Sequence, residues 1–328
     1  MEALWIMLRN TIVFVALALP GFILVKTKML KQEQSGALSK LLMYVGMPFM
    51  ILTSTINNVK FDGELLAVIG IVAAIGVTYT VATFFLSKPL TLMDKAEKTR
   101  GMMRFSAVFS NNGFLGIPLA MAVFGAGSRI LMVVIIINII TNLLMYTLGI
   151  YLISGDKSTI SWKKALLNPV LIAFVLGIAL NLLNTKYGFL SADKVPEVLT
   201  FSTHFSNIVT PISMTILGMK MGGVKFLPMF KSWKTYYVAA LKLVVFPLII
   251  VGILFAMKAL IGGPIDGDMI IGVFIAFAMP TAGLASTFSD QYDGDTKNAV
   301  AFTLGSTVLA VATIPLLYWA LTEILKVI

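Results

Sequence analysis

The chain contains no cysteine and only one histidine, His204, among its 328 residues. Without cysteine there is no disulfide framework, no thiolate metal site and no cysteine nucleophile. One histidine is too few for a clustered imidazole site, so we expect no bound metal and no cofactor. A His-Glu-x-x-His motif is absent as well, and we expect the protein not to be an enzyme.

Charged residues are also scarce, at 12% of the chain, whereas a soluble domain carries about 25%. Hydrophobic residues make up 58% of the sequence, and the mean hydropathy is +0.94. The apolar runs do not alternate between apolar and polar positions, as the strands of a membrane barrel do. The composition therefore predicts an all-α integral membrane protein that lies in the lipid bilayer.

The apolar runs predict ten membrane spans. The first is expected to remain as a helix, because no basic start and no small-residue cleavage site mark it as a signal peptide. The predicted spans cover residues 8–25, 38–57, 65–87, 102–124, 130–153, 166–184, 201–222, 235–257, 268–289 and 299–322.

Lysine and arginine concentrate in the odd-numbered loops, for example Lys95, Lys98 and Arg100 between the third and fourth spans. Loops rich in these residues face the cytoplasm. We therefore expect a multi-pass protein of the cytoplasmic membrane with both termini outside. The net charge of +10 then reflects topology, and we expect no nucleic-acid partner.

The fourth span is interrupted by Phe109–Pro118, which contains two asparagines, two glycines and one proline. In a helix interior, glycine costs about 1 kcal/mol relative to alanine and proline about 3 kcal/mol. Pro118 also lacks the N–H that would bond to the carbonyl of Phe114. Backbone freed at membrane depth must be buried in protein or line a watery cavity. The segment thus indicates either a discontinuous helix at a solute site or a proline-kinked helix whose asparagines bond to its neighbours.

The ten predicted spans divide into two halves, 1–155 and 156–328, which resemble each other weakly. The ninth span has its own interruption, Phe277–Gly283, at the position that matches the break in the fourth. Because each half has an odd number of spans, the second enters the membrane from the opposite side and the repeats are inverted. Interrupted segments at matching positions of two halves indicate the binding site of a transporter.

The segment Ser110–Pro118, which reads SNNGFLGIP, strongly resembles the SNxG(F/Y)(L/M)GxP signature of the auxin efflux carrier family. This family includes plant auxin exporters and bacterial permeases that resemble malate or malonate carriers, and the short loop 154–165 is similar to that of compact prokaryotic members. The resemblance implies inverted five-helix repeats whose fourth and ninth helices are broken and cross at mid-membrane. It also implies a scaffold (helices 3–5 and 8–10) that moves against a gate-like unit (helices 1, 2, 6 and 7), and it loosely suggests a homodimer.

If both helices are broken, two half-helix N-termini meet, and their free N–H groups favour an anion. Asn111 and Asn112 add amide groups without the cost of burying a fixed charge. We therefore expect a small organic anion as partner, such as malate, malonate or an auxin-like acid. The residues expected to shape the site are Asn111, Asn112, Gly113, Gly116, Pro118, Pro280, Thr281 and Gly283.

Three further polar residues in predicted spans are candidates for the site. Asn138 and Asn142 are four residues apart and share a helix face, where they either bridge to another helix or line the pathway. Lys242 is the one fixed charge inside a span. It either snorkels to the cytoplasmic interface, pairs structurally, contacts the solute or replaces a bound Na⁺.

These expectations describe a secondary transporter that works by alternating access. The predicted spans lack buried Asp or Glu, which favours proton coupling or uniport over Na⁺ coupling. Two alternatives stay open, a Na⁺-coupled symporter of the bile-acid type and an anion channel.

Overall fold

A computed structural model describes residues 2–58, 63–125, 127–160, 163, 166–188, 194–223, 230–261 and 265–327. Within these ranges the chain is helical, and one isolated antiparallel bridge joins Ser110 to Thr281. The α-helices are α1 (Glu2–Lys26), α2 (Ser35–Leu41), α3 (Met47–Asn58), α4 (Gly63–Leu90), α5 (Glu97–Val108), α6 (Ile117–Phe124), α7 (Arg129–Leu144), α8 (Ile150–Ser154), α9 (Pro169–Tyr187), α10 (Pro196–Asn207), α11 (Val209–Gly222), α12 (Trp233–Ala240), α13 (Phe246–Ile261), α14 (Gly267–Phe277), α15 (Ala285–Gln291) and α16 (Thr296–Leu325).

Several of these helices are joined by a turn that widens to π geometry. The π segments are Leu42–Gly46, Asn112–Gly116, Met145–Gly149 and Leu241–Val245. The first, second and fourth end two residues before a proline, namely Pro48, Pro118 and Pro247. A proline cannot donate to the carbonyl four residues earlier, and its ring crowds that carbonyl. The preceding turn widens to relieve the clash, so these helices continue past their prolines.

Helices long and apolar enough to cross a membrane are frequent in the described residues. By length and composition, the longest are Gln32–Thr53, Ala67–Leu90, Arg129–Ser154, Trp233–Leu260 and Thr296–Leu325. Shorter apolar helices cover Ala16–Lys26, Asn112–Phe124, Pro169–Asn184 and Gly267–Phe277. The chain is therefore an all-α, multi-pass membrane protein.

We sort the helices by the moving units that the family resemblance implies, although α1 also packs closely against α16. The scaffold group consists of α4–α8 and α12–α16, and the gate-like group consists of α1–α3 and α9–α11. Within the gate-like group, α1 and α11 approach backbone to backbone. A Cβ atom on Gly21 would collide with the carbonyl oxygen of Thr215, and one on Gly218 with that of Ala18. Small residues at such contacts let two membrane helices pack closely.

Polar loops brace one end of the scaffold group. Lys234, at the start of α12, forms an ion pair with the buried Asp94 in the loop between α4 and α5. Lys98 contacts Asp293 at 2.7 Å, and Thr99 donates to Asp295 at 2.7 Å. These contacts tie the start of α5 to the loop that leads into α16.

Candidate functional site at the helix crossing

The first break separates α5 from the half-helix Asn112–Phe124. After Val108 the backbone becomes extended at Phe109, and helical geometry resumes at Asn112. The amides of Leu115 and Gly116 both donate to the carbonyl of Asn111, at 3.1 and 3.3 Å. The expected discontinuity is therefore present, and it lies N-terminal to the proline. Pro118 itself lies inside the half-helix, directly after the widened turn Asn112–Gly116.

The second break separates α14 from α15, and it crosses the first. The amide of Asn111 donates to the carbonyl of Pro280 at 2.7 Å, and the amide of Ala282 donates to the carbonyl of Phe109 at 2.9 Å. Each break thus supplies hydrogen-bond partners for the other. This pairing meets the requirement that non-helical backbone in a membrane be satisfied within the protein.

Side chains fasten the crossing to the rest of the scaffold group. Thr281 is completely buried, and its hydroxyl donates to the carbonyl of Ser106 at 3.0 Å while its amide donates to Ser306 Oγ at 3.1 Å. Ser110 Oγ donates to the carbonyl of Phe277 at 3.2 Å. The crossing is therefore held as one body with α5, α14 and α16.

A polar pocket of about 30 Å³ opens on the crossing and lies between the two helix groups. Both half-helix N-termini reach its wall. The polar side chains on this wall are Ser110, Asn111, Asn112, Asn138, Asn142 and Asn168. A space of this size holds about two water molecules and is too small for an organic anion, so a solute can enter only if the groups move apart.

The structure brings together most of the residues expected from the sequence. Those on the pocket wall are Asn111, Asn112, Gly113, Asn138, Asn142 and Gly283. Those outside the wall are Gly116, Pro118, Pro280, Thr281 and Lys242. Gly116 and Pro280 hold the crossing: a Cβ on Gly116 would lie 3.1 Å from Met279, and Pro280 accepts the amide of Asn111. Substrate contact stays a prediction for all eleven residues.

Within the described residues, Asn138 has a bonded side-chain oxygen and an unbonded side-chain nitrogen. Asn142 Nδ2 donates to its carbonyl at 2.9 Å and to its Oδ1 at 2.8 Å, so the two asparagines bond along α7 and not to another helix. Asn138 is 1% exposed, and within the described residues its Nδ2 has no partner. Gly113 keeps this space open, because a Cβ there would lie 3.0 Å from Asn138 Oδ1.

The two adjacent asparagines of the motif differ in their bonding. Asn112 Nδ2 donates to Thr141 Oγ1 on α7 at 2.9 Å, so that amide is committed within the scaffold group. The side chain of Asn111 lies beside Gly283, 3.7 Å from the position of a Cβ there. Within the described residues no hydrogen bond reaches the carboxamide of Asn111, which leaves it open to a ligand.

Lys242 lies behind the crossing and does not snorkel. It is 0% exposed, and its ammonium donates to the carbonyl of Val108 at 3.1 Å and to Ser110 Oγ at 2.5 Å. Val108 is the last residue of α5, and the C-terminal end of a helix favours a cation. In the described part of the chain, no Asp or Glu forms an ion pair with Lys242.

A second, larger cavity of about 490 Å³ lies between α1, α11 and α16. Its volume is typical of a ligand site, but its wall is apolar apart from Thr307. The hydroxyl of Thr307 donates to the carbonyl of Thr303 at 2.7 Å. No group on this wall would compensate a buried carboxylate. The small polar pocket is therefore a better candidate for an anion site than the larger cavity.

Reasoning from sequence missed Ser110, Asn168 and Lys220. Ser110 precedes the asparagines of the motif and accepts from Lys242. Asn168 caps α9 by accepting from the amide of Val170 at 2.9 Å, and the pair Asn168-Pro169 is a recognisable helix start. Lys220 donates to the carbonyl of Gly283 at 2.8 Å.

Crossing, discontinuous helices in an apolar bundle are features of membrane transporters, and comparison with known proteins agrees. The family described as membrane transport protein matches residues 6–318. The chain belongs to this family, which confirms the resemblance to the auxin efflux carriers. It is also similar to an uncharacterized transporter of Methanothermobacter thermautotrophicus, with 27% identity over 302 residues, 92% of this chain and 93% of that protein.

Proposed function

We propose that the protein is a secondary carrier that moves a small organic anion across the cytoplasmic membrane by alternating access. The observation that carries this proposal is the unbound amide of Asn138 on a pocket formed by two half-helix N-termini. A buried donor without a partner costs about 1–3 kcal/mol, and helix N-termini favour negative charge. A carboxylate would use both features at once.

The finer architecture of the proposal has ten spans in two inverted repeats, 1–155 and 156–328. The pairing of Ser110 with Thr281 supports it, because each residue lies in the interrupted helix of its own half. The position of the polar pocket, which is lined by residues of both the scaffold and the gate-like group, supports a mechanism in which the gate-like group moves and opens this pocket to one side at a time.

We further propose that the carrier needs no Na⁺ and works with protons or as a uniporter. Coupling cations in broken-helix transporters bind at half-helix C-terminal ends and unwound carbonyls. Here the ammonium of Lys242 is at such an end, on the carbonyl of Val108. A resident cation at this position would remove the need for a bound metal ion.

Counterflow in proteoliposomes tests the proposal. Malate, malonate, lactate and indole acetate would be supplied as labelled solutes, each with and without Na⁺. We expect saturable exchange of one acid without Na⁺, and loss of at least about tenfold in an Asn111→Ala/Asn138→Ala double variant. Asn207→Ala serves as the matched control, because Asn207 is exposed at the end of α10.

Other outcomes distinguish the alternatives. Strict dependence on Na⁺ would support a symporter of the bile-acid type, and anion conductance without counterflow would support a channel. If folded protein exchanges none of the acids, the proposed anion is wrong.

A further inference from the structure

Lys220 is a cation of the gate-like group that contacts the crossing directly. It is two residues from the C-terminal end of α11 and is half-buried, with its Nζ donating to the carbonyl of Gly283 at 2.8 Å. Within the described residues no carboxylate forms an ion pair with it. The charge therefore depends on a backbone carbonyl of the second break.

The two partners belong to bodies that are each internally fixed. On one side, α11 is packed against α1 through Gly21 and Gly218, which leave no room for a Cβ. On the other side, the break that contains Gly283 is anchored by Thr281 to the scaffold group. The hydrogen bond from Lys220 consequently joins the gate-like group to the scaffold group and must break when they separate.

The accepting carbonyl lies at the edge of the polar pocket. Gly283 is on the pocket wall and adjoins the side chain of Asn111. Asn111 and the ammonium of Lys220 therefore both adjoin Gly283, and a carboxylate beside Asn111 would lie next to the residue that holds the ammonium. Charge-assisted hydrogen bonds are roughly twice as strong as those between neutral groups, and a carboxylate is a better acceptor for an ammonium than a carbonyl.

We propose that Lys220 is a charge-selecting latch between the two groups. While the pocket is empty, it holds α11 on the carbonyl of Gly283. When an organic carboxylate enters, the ammonium leaves the carbonyl of Gly283 and pairs with that carboxylate, which gives the carrier its preference for anions. The second part of this inference rests on the proposed function, whereas the first part concerns the empty carrier alone.

Two measurements on one set of variants test the latch. A single cysteine at Met43, on the gate-like side of the pocket wall, reports opening through its reaction with a charged maleimide, since the natural chain has no cysteine. In Lys220→Met we expect the empty carrier to react several-fold faster, and the KM for the transported acid to rise by about tenfold or more. Lys220→Arg keeps the charge and should stay within about threefold of the wild type on both readouts.

Lys26→Met is the matched control, because Lys26 is in the last turn of α1 and contacts the ring of Phe22 instead of the crossing. The latch is wrong if Lys220→Met and Lys26→Met label at the same rate when empty. Charge selection is wrong if their KM values are equal in a carrier that transports the acid. If the wild type transports no anion, the proposed function fails, and unchanged labelling of empty Lys220→Met would still overturn the latch. Lys220→Gln repeats both measurements should the methionine variant fold poorly.

Discussion

At the scale of single residues, the side-chain amide of Asn138 is notable because its buried nitrogen has no hydrogen-bond partner within the described residues. Two buried polar groups near the crossing have partners, since Thr281 donates to the carbonyl of Ser106 and Asn112 donates to Thr141 Oγ1. Asn138 uses its oxygen but leaves its nitrogen unbound. An unpaired buried donor lowers stability, so a side chain that only filled space here would be better replaced by an apolar one.

This contrast gives a prediction for Asn138→Leu. The apolar side chain has similar size and removes the unbound donor, and Asn142 keeps its bond to the carbonyl of residue 138. We expect the melting temperature to stay equal or rise, and the transport rate to fall at least about tenfold. Thermal unfolding in detergent and counterflow on the same preparation measure the two effects.

Thr83→Val is the control, because Thr83 is buried in α4 and donates only to the carbonyls of Tyr79 and Thr80. It should transport like the wild type. Full transport by Asn138→Leu, together with a lower melting temperature, would make Asn138 a structural residue.

The sequence predicts the asparagines of the crossing but not their bonds. Asn111 and Asn112 are adjacent and chemically identical, yet one is committed to Thr141 and the other is free. Which amide reaches which partner depends on how α7 packs against the break. A single sequence contains no information on that packing. The same holds for Lys242, whose burial depends on the position of Val108.

At the scale of elements, prolines account for most departures from the predicted spans. The span 201–222 was predicted as one helix, but α10 ends at Asn207 and α11 starts at Val209. Pro211 cannot donate to the carbonyl of Asn207, so the helix is interrupted there. Before Pro48 and Pro247, by contrast, the missing hydrogen bond is accommodated by a π turn and the helix continues. The sequence shows where each proline removes a helical hydrogen bond, but it does not determine whether the helix widens or breaks there.

The brace between the α4–α5 loop and α12 gives a prediction on pH. Burial raises the pKa of the Asp94 carboxyl, but the hydrogen bond and charge of Lys234 and the amide of Ala96 outweigh it, so the pKa is lowered overall. A lowered pKa in the folded state stabilises the protein above the unfolded value of about 3.9, and this stability is lost as the pH falls through the folded value. Asp94 therefore stabilises at neutral pH and ceases to do so in acid.

We expect Asp94→Asn to lower the free energy of unfolding at pH 7 by about 1.5–3 kcal/mol, and its melting temperature to approach that of the wild type below about pH 4. Asp293→Asn is the control, because the pair of Asp293 with Lys98 is exposed, at 92% and 57%, and exposed pairs contribute at most about 1 kcal/mol. Thermal melts between pH 7 and pH 3 measure both. Parallel curves for wild type and Asp94→Asn would show that the brace is not a source of stability.

At the scale of the whole molecule, hydropathy predicts much of the architecture. Apolar runs give the helical membrane class, and paired glycine–proline interruptions predict two breaks that the structure places in contact. Hydropathy does not predict which helices pack against one another. The contact of α1 with α11 depends on Gly21 and Gly218, which look like ordinary glycines in an apolar run. Long-range packing of this kind has no local signal.

Energy coupling is a property of the whole molecule, and the position of Lys242 leads to a prediction about it. With an ammonium on the carbonyl of Val108 and on Ser110 Oγ, the wild type should transport equally well in Na⁺ and in choline. Lys242→Ala removes the cation and leaves two oxygens and the end of α5 without a donor. We expect transport to fall at least about tenfold and to be partly restored by methylammonium or Na⁺, because either can bring a positive charge to the vacated space.

Lys258→Ala is the control for this experiment, because Lys258 is in the last turn of α13 and is not among the donors to the crossing. It should transport normally in both salts and gain nothing from methylammonium. A wild type that requires Na⁺ would contradict the idea that Lys242 takes the place of a coupling metal ion. Unaltered transport by Lys242→Ala would show that the buried charge serves the packing of α12 and not the transport cycle.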